Sequence, residues 1–111
     1  MPKKSMETLT ESMFYVLLAF TRGPLCGTDA SELIEKVSEG RVCIGPATLY
    51  TLLAKFEKEK YIKEISVEGR RRTYEITEKG LKACQSELER LYLCIKDAQA
   101  MGLRRTCDEE R

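Results

Sequence analysis

With 111 residues, 42% of them apolar and 33% charged, the chain has the size and composition of one soluble domain around a single core. No apolar run nears the ~20 residues of a membrane span, and the lysines near the start have no hydrophobic segment behind them, so a cytoplasmic location without membrane contact is expected. There is no histidine, no nucleophile motif, no phosphate-binding glycine loop and no C-x2-C spacing, which argues against an enzyme and gives no reason to expect a metal or cofactor.

In chain order, Thr8 or Thr10 can cap a first helix running to about Arg22, with Thr8 and Glu11 spaced as a capping box. Leu9, Met13, Val16, Leu17 and Phe20 fall on one face of it, and Gly23-Pro24 ends it. Gly27 permits a tight turn, and Thr28 or Asp29 is the expected cap of a second helix. Its apolar stripe is Ala30, Leu33, Ile34 and Val37, and Gly40 marks its end.

A third helix is predicted from Gly45 at the cap and Pro46 at the first helical position, where a missing N–H does no harm, to about Lys60. Leu49, Leu52, Leu53 and Phe56 form its buried face. Ala47, Thr48, Tyr50, Thr51, Ala54, Lys55 and Lys58 remain for the outer face. Small and hydroxylated side chains in the first turns let a helix lie close to base edges, and alanine and threonine can meet a thymine methyl. The competing reading is an ordinary polar face with Tyr50 tucked against a neighbour.

A strand pair follows. Ile62, Ile65 and Val67 are apolar in the first strand; after a turn at Glu68-Gly69, Arg72, Tyr74 and Ile76 share one face of the second. The tip therefore presents Arg70, Arg71 and Arg72. A helix followed by a basic hairpin is the arrangement of a winged helix-turn-helix domain on duplex DNA. Charge distribution agrees: residues 41–76 hold 8 basic and 5 acidic side chains, whereas residues 1–40 hold 4 and 6 and residues 77–111 hold 7 of each.

Thr77 caps a last helix predicted to reach about Ala100, before Gly102. Leu81, Cys84, Leu88, Leu91, Ile95 and Ala98 follow 3-4-3-4-3 spacing, the seam of a coiled coil, which points to dimerisation through this helix. Packing on the domain's own first helix is the alternative. Tyr92 and Leu93 widen the apolar surface. Residues 104–111 form a polar tail. The five cysteines (Cys26, Cys43, Cys84, Cys94, Cys107) suit reduced, mostly buried thiols. In a redox alternative, Cys84 and Cys94 bridge between two copies, being too far apart on one helix to pair.

These residues resemble the PadR-type transcriptional regulators. Ala47-Thr48-Leu49-Tyr50, then Leu53, Phe56-Glu57-Lys58-Glu59 and Ile62, is similar to that family's "TLY…L..LE..G(L/I)" recognition helix. The run from Gly69-Arg70-Arg71-Arg72 to Thr77-Glu78-Lys79-Gly80 is similar to its wing signature, "GRRRKYY.LT..G". Upstream, Val16-Leu17-Leu18-Ala19-Phe20 and Pro24-Leu25-Cys26-Gly27 match the "ILLAL…P.HGY" entry. The chain departs from the pattern at Thr28, where the family commonly has Tyr, and at Lys60, where it commonly has Gly.

The expected fold is mainly α with a small β-hairpin: a winged helix-turn-helix over residues 1–77 and a C-terminal dimerisation helix over 78–103. The resemblance implies a homodimer on a pseudo-palindromic operator, acting as a repressor and relieved by a small apolar effector. Tyr15, Tyr92, Phe14 and Met101 are the candidates to line an effector site, with Thr28 as a phosphate donor at a helix start. The rival of another class is a winged-helix module that binds protein and not DNA.

Overall fold

The computed structural model describes residues 8–109. Its elements are α1 (Glu11–Ala19), a 3-10 turn (Phe20–Arg22), β1 (Leu25–Cys26), α2 (Gly27–Val37), α3 (Pro46–Lys58), β2 (Ile62–Glu68), β3 (Arg71–Ile76), α4 (Glu78–Ala100) and a short α5 (Thr106–Glu109). The architecture is mostly helical, with a three-stranded antiparallel sheet in the order β1-β3-β2.

Thr10 is the cap that forms on α1: its hydroxyl oxygen accepts from the Met13 N–H at 3.2 Å. The helix then tightens into the 3-10 turn, three residues short of the expected α-helical end. On α2 the expectation is corrected. Cys26 occupies the cap position and Gly27 opens the helix, so Thr28 and Asp29 lie inside its first turn. The stripe on α2 is narrower than its periodicity suggests, since Val37 is 57% exposed while Ala30 and Ile34 are buried. Its end is not at Gly40 alone: Glu39 already has φ 55°, and the Glu39 N–H donates to Lys36 O and the Gly40 N–H to Glu35 O.

The third helix starts as expected, with Gly45 extended at the cap and Pro46 behind it. Its exit is a Schellman turn. Lys60 N–H donates to Glu57 O at 3.1 Å and Tyr61 N–H to Phe56 O at 2.8 Å. Lys60 therefore adopts φ 66°, a left-handed conformation that favours glycine.

Strand β1 is the element sequence periodicity does not reveal. Its two residues pair with β3, Leu25 opposite Tyr74 and Cys26 opposite Thr73. Between β2 and β3 the register slips around Ile65, where Glu64 faces Tyr74 but Ser66 faces Thr73. This bulge turns Ile65 out to 45% exposure. The hairpin closes through Gly69 and Arg70 between the paired Glu68 and Arg71, with Gly69 at the positive φ such turns require.

One core joins Leu9, Val16, Leu17 and Phe20 to Ile34, Leu53, Phe56, Ile62 and Tyr74, and it is closed by Ala83 and Cys84 of α4. Thr77 caps α4, its hydroxyl accepting from the Gly80 N–H at 3.1 Å. The buried face of α4 is Gly80, Ala83, Cys84 and Glu87. Glu87 is unexpected there. It is 5% exposed, accepts from the Leu9 N–H at 3.3 Å, and pairs with Arg90. Beyond it α4 leaves the domain, with Leu88, Tyr92 and Ile95 each more than half exposed. The polar tail is not wholly irregular, since Thr106–Glu109 forms a helical turn. No helix among the described residues is long and apolar enough to cross a membrane.

Candidate nucleic-acid interface

The third helix turns Leu49, Leu53 and Phe56 inward, and this fixes what it turns outward. Ala47, Thr48, Tyr50 and Thr51 are all exposed, Tyr50 at 60%, while Lys55 is half-buried. Tyr50 is thus not tucked away. At Gly27 α2 sits close against this helix: a Cβ there would stand 3.2 Å from Leu53 Cδ1 and 3.4 Å from Leu49 Cδ2.

The start of α2, the middle of α3 and the wing enclose an open cleft of about 540 Å³. Thr28, Tyr50, Arg70, Arg71 and Arg72 line it, over the buried Leu53 and Tyr74. Tyr50, from the helix singled out for DNA contact, and the wing arginines thus flank one opening, whereas Ala47, Thr48, Thr51 and Lys55 do not line it. Thr28 joins them because β1 pairs with β3 and so brings the first turn of α2 beside the wing. Sequence spacing alone contains no sign of that contact.

The three arginines are not equivalent. Arg71 Nη2 donates to Asp29 Oδ2 at 2.8 Å, across 42 residues of chain. Arg72 Nη1 lies 3.7 Å from Glu64 Oε2 on the neighbouring strand. That carboxylate oxygen is buried and finds no hydrogen-bond partner among the described residues. Arg70, at the turn, makes no ion pair among the described residues and is exposed. Asp29, a cap candidate by its place in the sequence, joins the site only through this long-range pair with Arg71.

The seam residues of α4 divide. Cys84 is 4% exposed in the domain's own core, whereas Leu81 is 38%, Leu88 60% and Ile95 56% exposed. Leu91 and Ala98 are intermediate. Burial pushes the Cys84 thiol up to about 11, with the Glu87 carboxylate adding to the effect. It is therefore a poor thiolate for exchange chemistry; the expectation of mostly buried thiols is corrected, since Cys43, Cys94 and Cys107 are exposed and only Cys26 and Cys84 are buried. The residues proposed to line an effector site do not gather in one chain. Phe14 and Tyr15 meet edge-to-face at 6.1 Å between centroids, but Tyr92 and Met101 stand exposed on and beyond α4.

Residues 16–86 match the model of the transcriptional regulator PadR-like family. A transcriptional regulator from Clostridium thermocellum superposes with a TM-score of 0.71 at 29% identity, over 82% of this chain and 92% of that one. Bacillus subtilis PadR in complex with operator DNA gives 0.63 at 18% identity, over 71% of this chain and 47% of that one, a likeness of fold. An uncharacterized 37.1 kDa protein in transposon TN4556 of Streptomyces fradiae is 32% identical over 77 residues, 69% of this chain. The chain spans about a fifth of that relative's length, 22%.

Proposed function

Because this chain belongs to the PadR-like family of transcriptional regulators, we propose that it is a dimeric, sequence-specific DNA-binding repressor. The observation that carries this reading is the single cleft flanked by Tyr50 of α3 and Arg70, Arg71 and Arg72 of the wing. In this reading Ala47, Thr48, Tyr50 and Thr51 enter the major groove, and Lys55 flanks it. Thr28 lies beside a phosphate at the start of α2, and the arginine-tipped wing engages phosphates or the minor groove. The operator complex of Bacillus subtilis PadR, a protein of this fold, supports duplex DNA as the partner.

Two copies join through the part of α4 that leaves the domain. Leu81, Leu88, Leu91, Ile95 and Ala98 form the contact, widened by Tyr92; the buried Cys84 marks where the seam turns back into its own core. Two-fold symmetry then places two recognition helices about 34 Å apart on a pseudo-palindromic operator. Relief by a small apolar effector requires a second copy to complete the pocket. The groove beside Tyr15, Leu18 and Leu33 offers about 130 Å³, below the ~300 Å³ where ligand pockets begin.

The test is duplex binding at stepped salt. Changing Arg70, Arg71 and Arg72 together to Ala should flatten the plot of log K against log salt by at least about one per subunit. A slope that does not move removes the wing from the interface. Absence of any salt-sensitive duplex binding at low ionic strength favours a protein-binding module instead.

A further inference from the structure

The wing's middle arginine is already occupied by a carboxylate of its own chain. Asp29 lies in the first turn of α2, where the helix dipole favours negative charge. Its Oδ2 receives Arg71 Nη2 at 2.8 Å, and both side chains stay solvent-accessible, 41% and 57% exposed. The helix start that ordinarily draws an anion thus carries a built-in one. It sits beside Thr28, at the cleft in which the phosphate contacts are placed. Neither residue belongs to the buried core.

We propose that Asp29 is a phosphate stand-in. It holds Arg71 at the mouth of the cleft and withholds its charge from the DNA backbone, so that the wing grips phosphates chiefly through Arg70. The inference rests on the duplex-binding reading and adds to it a residue that restrains non-specific affinity. Counterion release counts only the cations that neutralise phosphates. A guanidinium kept on a carboxylate adds nothing to that count, and removal of the carboxylate's charge frees it to contribute.

The experiment measures binding to a mixed-sequence duplex at stepped salt for the wild type, Asp29→Asn, Arg71→Ala and the double variant, with thermal unfolding of each alongside. Asp29→Asn should bind several-fold more tightly at low salt and steepen the slope by about one per subunit. Arg71→Ala should leave the wild-type slope nearly unchanged, yet remove the gain when added to Asp29→Asn. A merely structural pair would shift unfolding and leave this pattern absent. An unchanged or flatter slope in Asp29→Asn overturns the proposal, as does a full unit lost per subunit in Arg71→Ala alone. A wild type without salt-sensitive binding overturns the duplex reading itself, and is seen before any variant is compared.

Discussion

A Cβ on Gly80 would stand 2.2 Å from the carbonyl oxygen of Tyr61. The first turn of α4 is thus laid directly on the chain entering β2, and the Thr77 N–H fastens the same carbonyl at 2.9 Å. Thr77 adds a second tie through its hydroxyl, which donates to Lys60 O at 2.7 Å. Gly80→Ala forces backbone apart at this junction and should cost at least about 2 kcal/mol. A lowered urea midpoint with an unchanged slope is the expected record. A loss below about 0.5 kcal/mol, the range of an ordinary surface change, would contradict the close approach.

Lys60 supplies the opposite case, a position that lacks the glycine its backbone favours. Its φ of 66° carries a Cβ penalty that glycine avoids, only partly offset by glycine's greater freedom in the unfolded chain. Lys60→Gly should therefore stabilise the domain by about 0.5–1 kcal/mol. Chemical denaturation decides it, and a destabilised variant would place the Schellman turn elsewhere.

Cys84 gives stability an alkaline limb. Its thiol stands at about 11 in the folded chain against an ordinary value of 9.0, with burial the larger cause and Glu87 the lesser. The folded state thus holds the proton more tightly than the unfolded state. The associated stability is complete below pH 9 and is lost as pH rises towards 11, by roughly 2–3 kcal/mol. In Cys84→Ala this limb should vanish, even though the cavity lowers stability at every pH. An identical alkaline limb in the variant would assign the effect to other groups. In native protein at pH 8, a thiol reagent should label the exposed Cys43, Cys94 and Cys107 before Cys26 and Cys84.

Glu87 behaves in the reverse sense. The Arg90 hydrogen bond is the first cause holding its carboxyl below the usual range, against the opposing effect of burial; the Leu9 N–H also contributes. A depressed carboxyl stabilises above its unfolded pKa, and that contribution is lost as pH falls through the folded value. Glu87→Ala should cost about 1–3 kcal/mol at neutral pH by stranding the Leu9 N–H. It should also flatten the acid limb of the stability curve. A variant as stable as wild type would show that the segment before α1 is held by Leu9's side chain alone.

Punctuation residues were legible in the sequence because their signals are local. Pro46 behind Gly45, Thr77 before α4 and Gly69 in the turn each act within a few residues of themselves. The inward faces of α1 and α3 followed from helical spacing for the same reason. What escaped depends on partners far along the chain. Leu25 and Cys26 are a strand only because Tyr74 and Thr73 lie beside them. That pairing makes Cys26 the cap of α2 and frees Asp29 to meet Arg71. Periodicity likewise put Cys84 on a seam between copies and gave no place to Glu87, because it cannot say which neighbour covers a face. Both sit in the domain's own core. The candidate interface was thus legible as two separate segments. Their meeting at one cleft required the sheet.

The proposed function makes two copies of the chain a two-fold reader of duplex DNA, with α3 and the wing of each copy on one half-site. Selection of bound duplexes from a random-sequence pool tests it most directly, followed by alignment of the survivors. The expected result is enrichment of a pseudo-palindrome whose half-site centres lie about one helical turn, near 34 Å, apart. Tyr50→Ala should weaken or relax the selected half-site. Survivors with no shared sequence, or a single unpaired site retained by one copy of the chain, would contradict it.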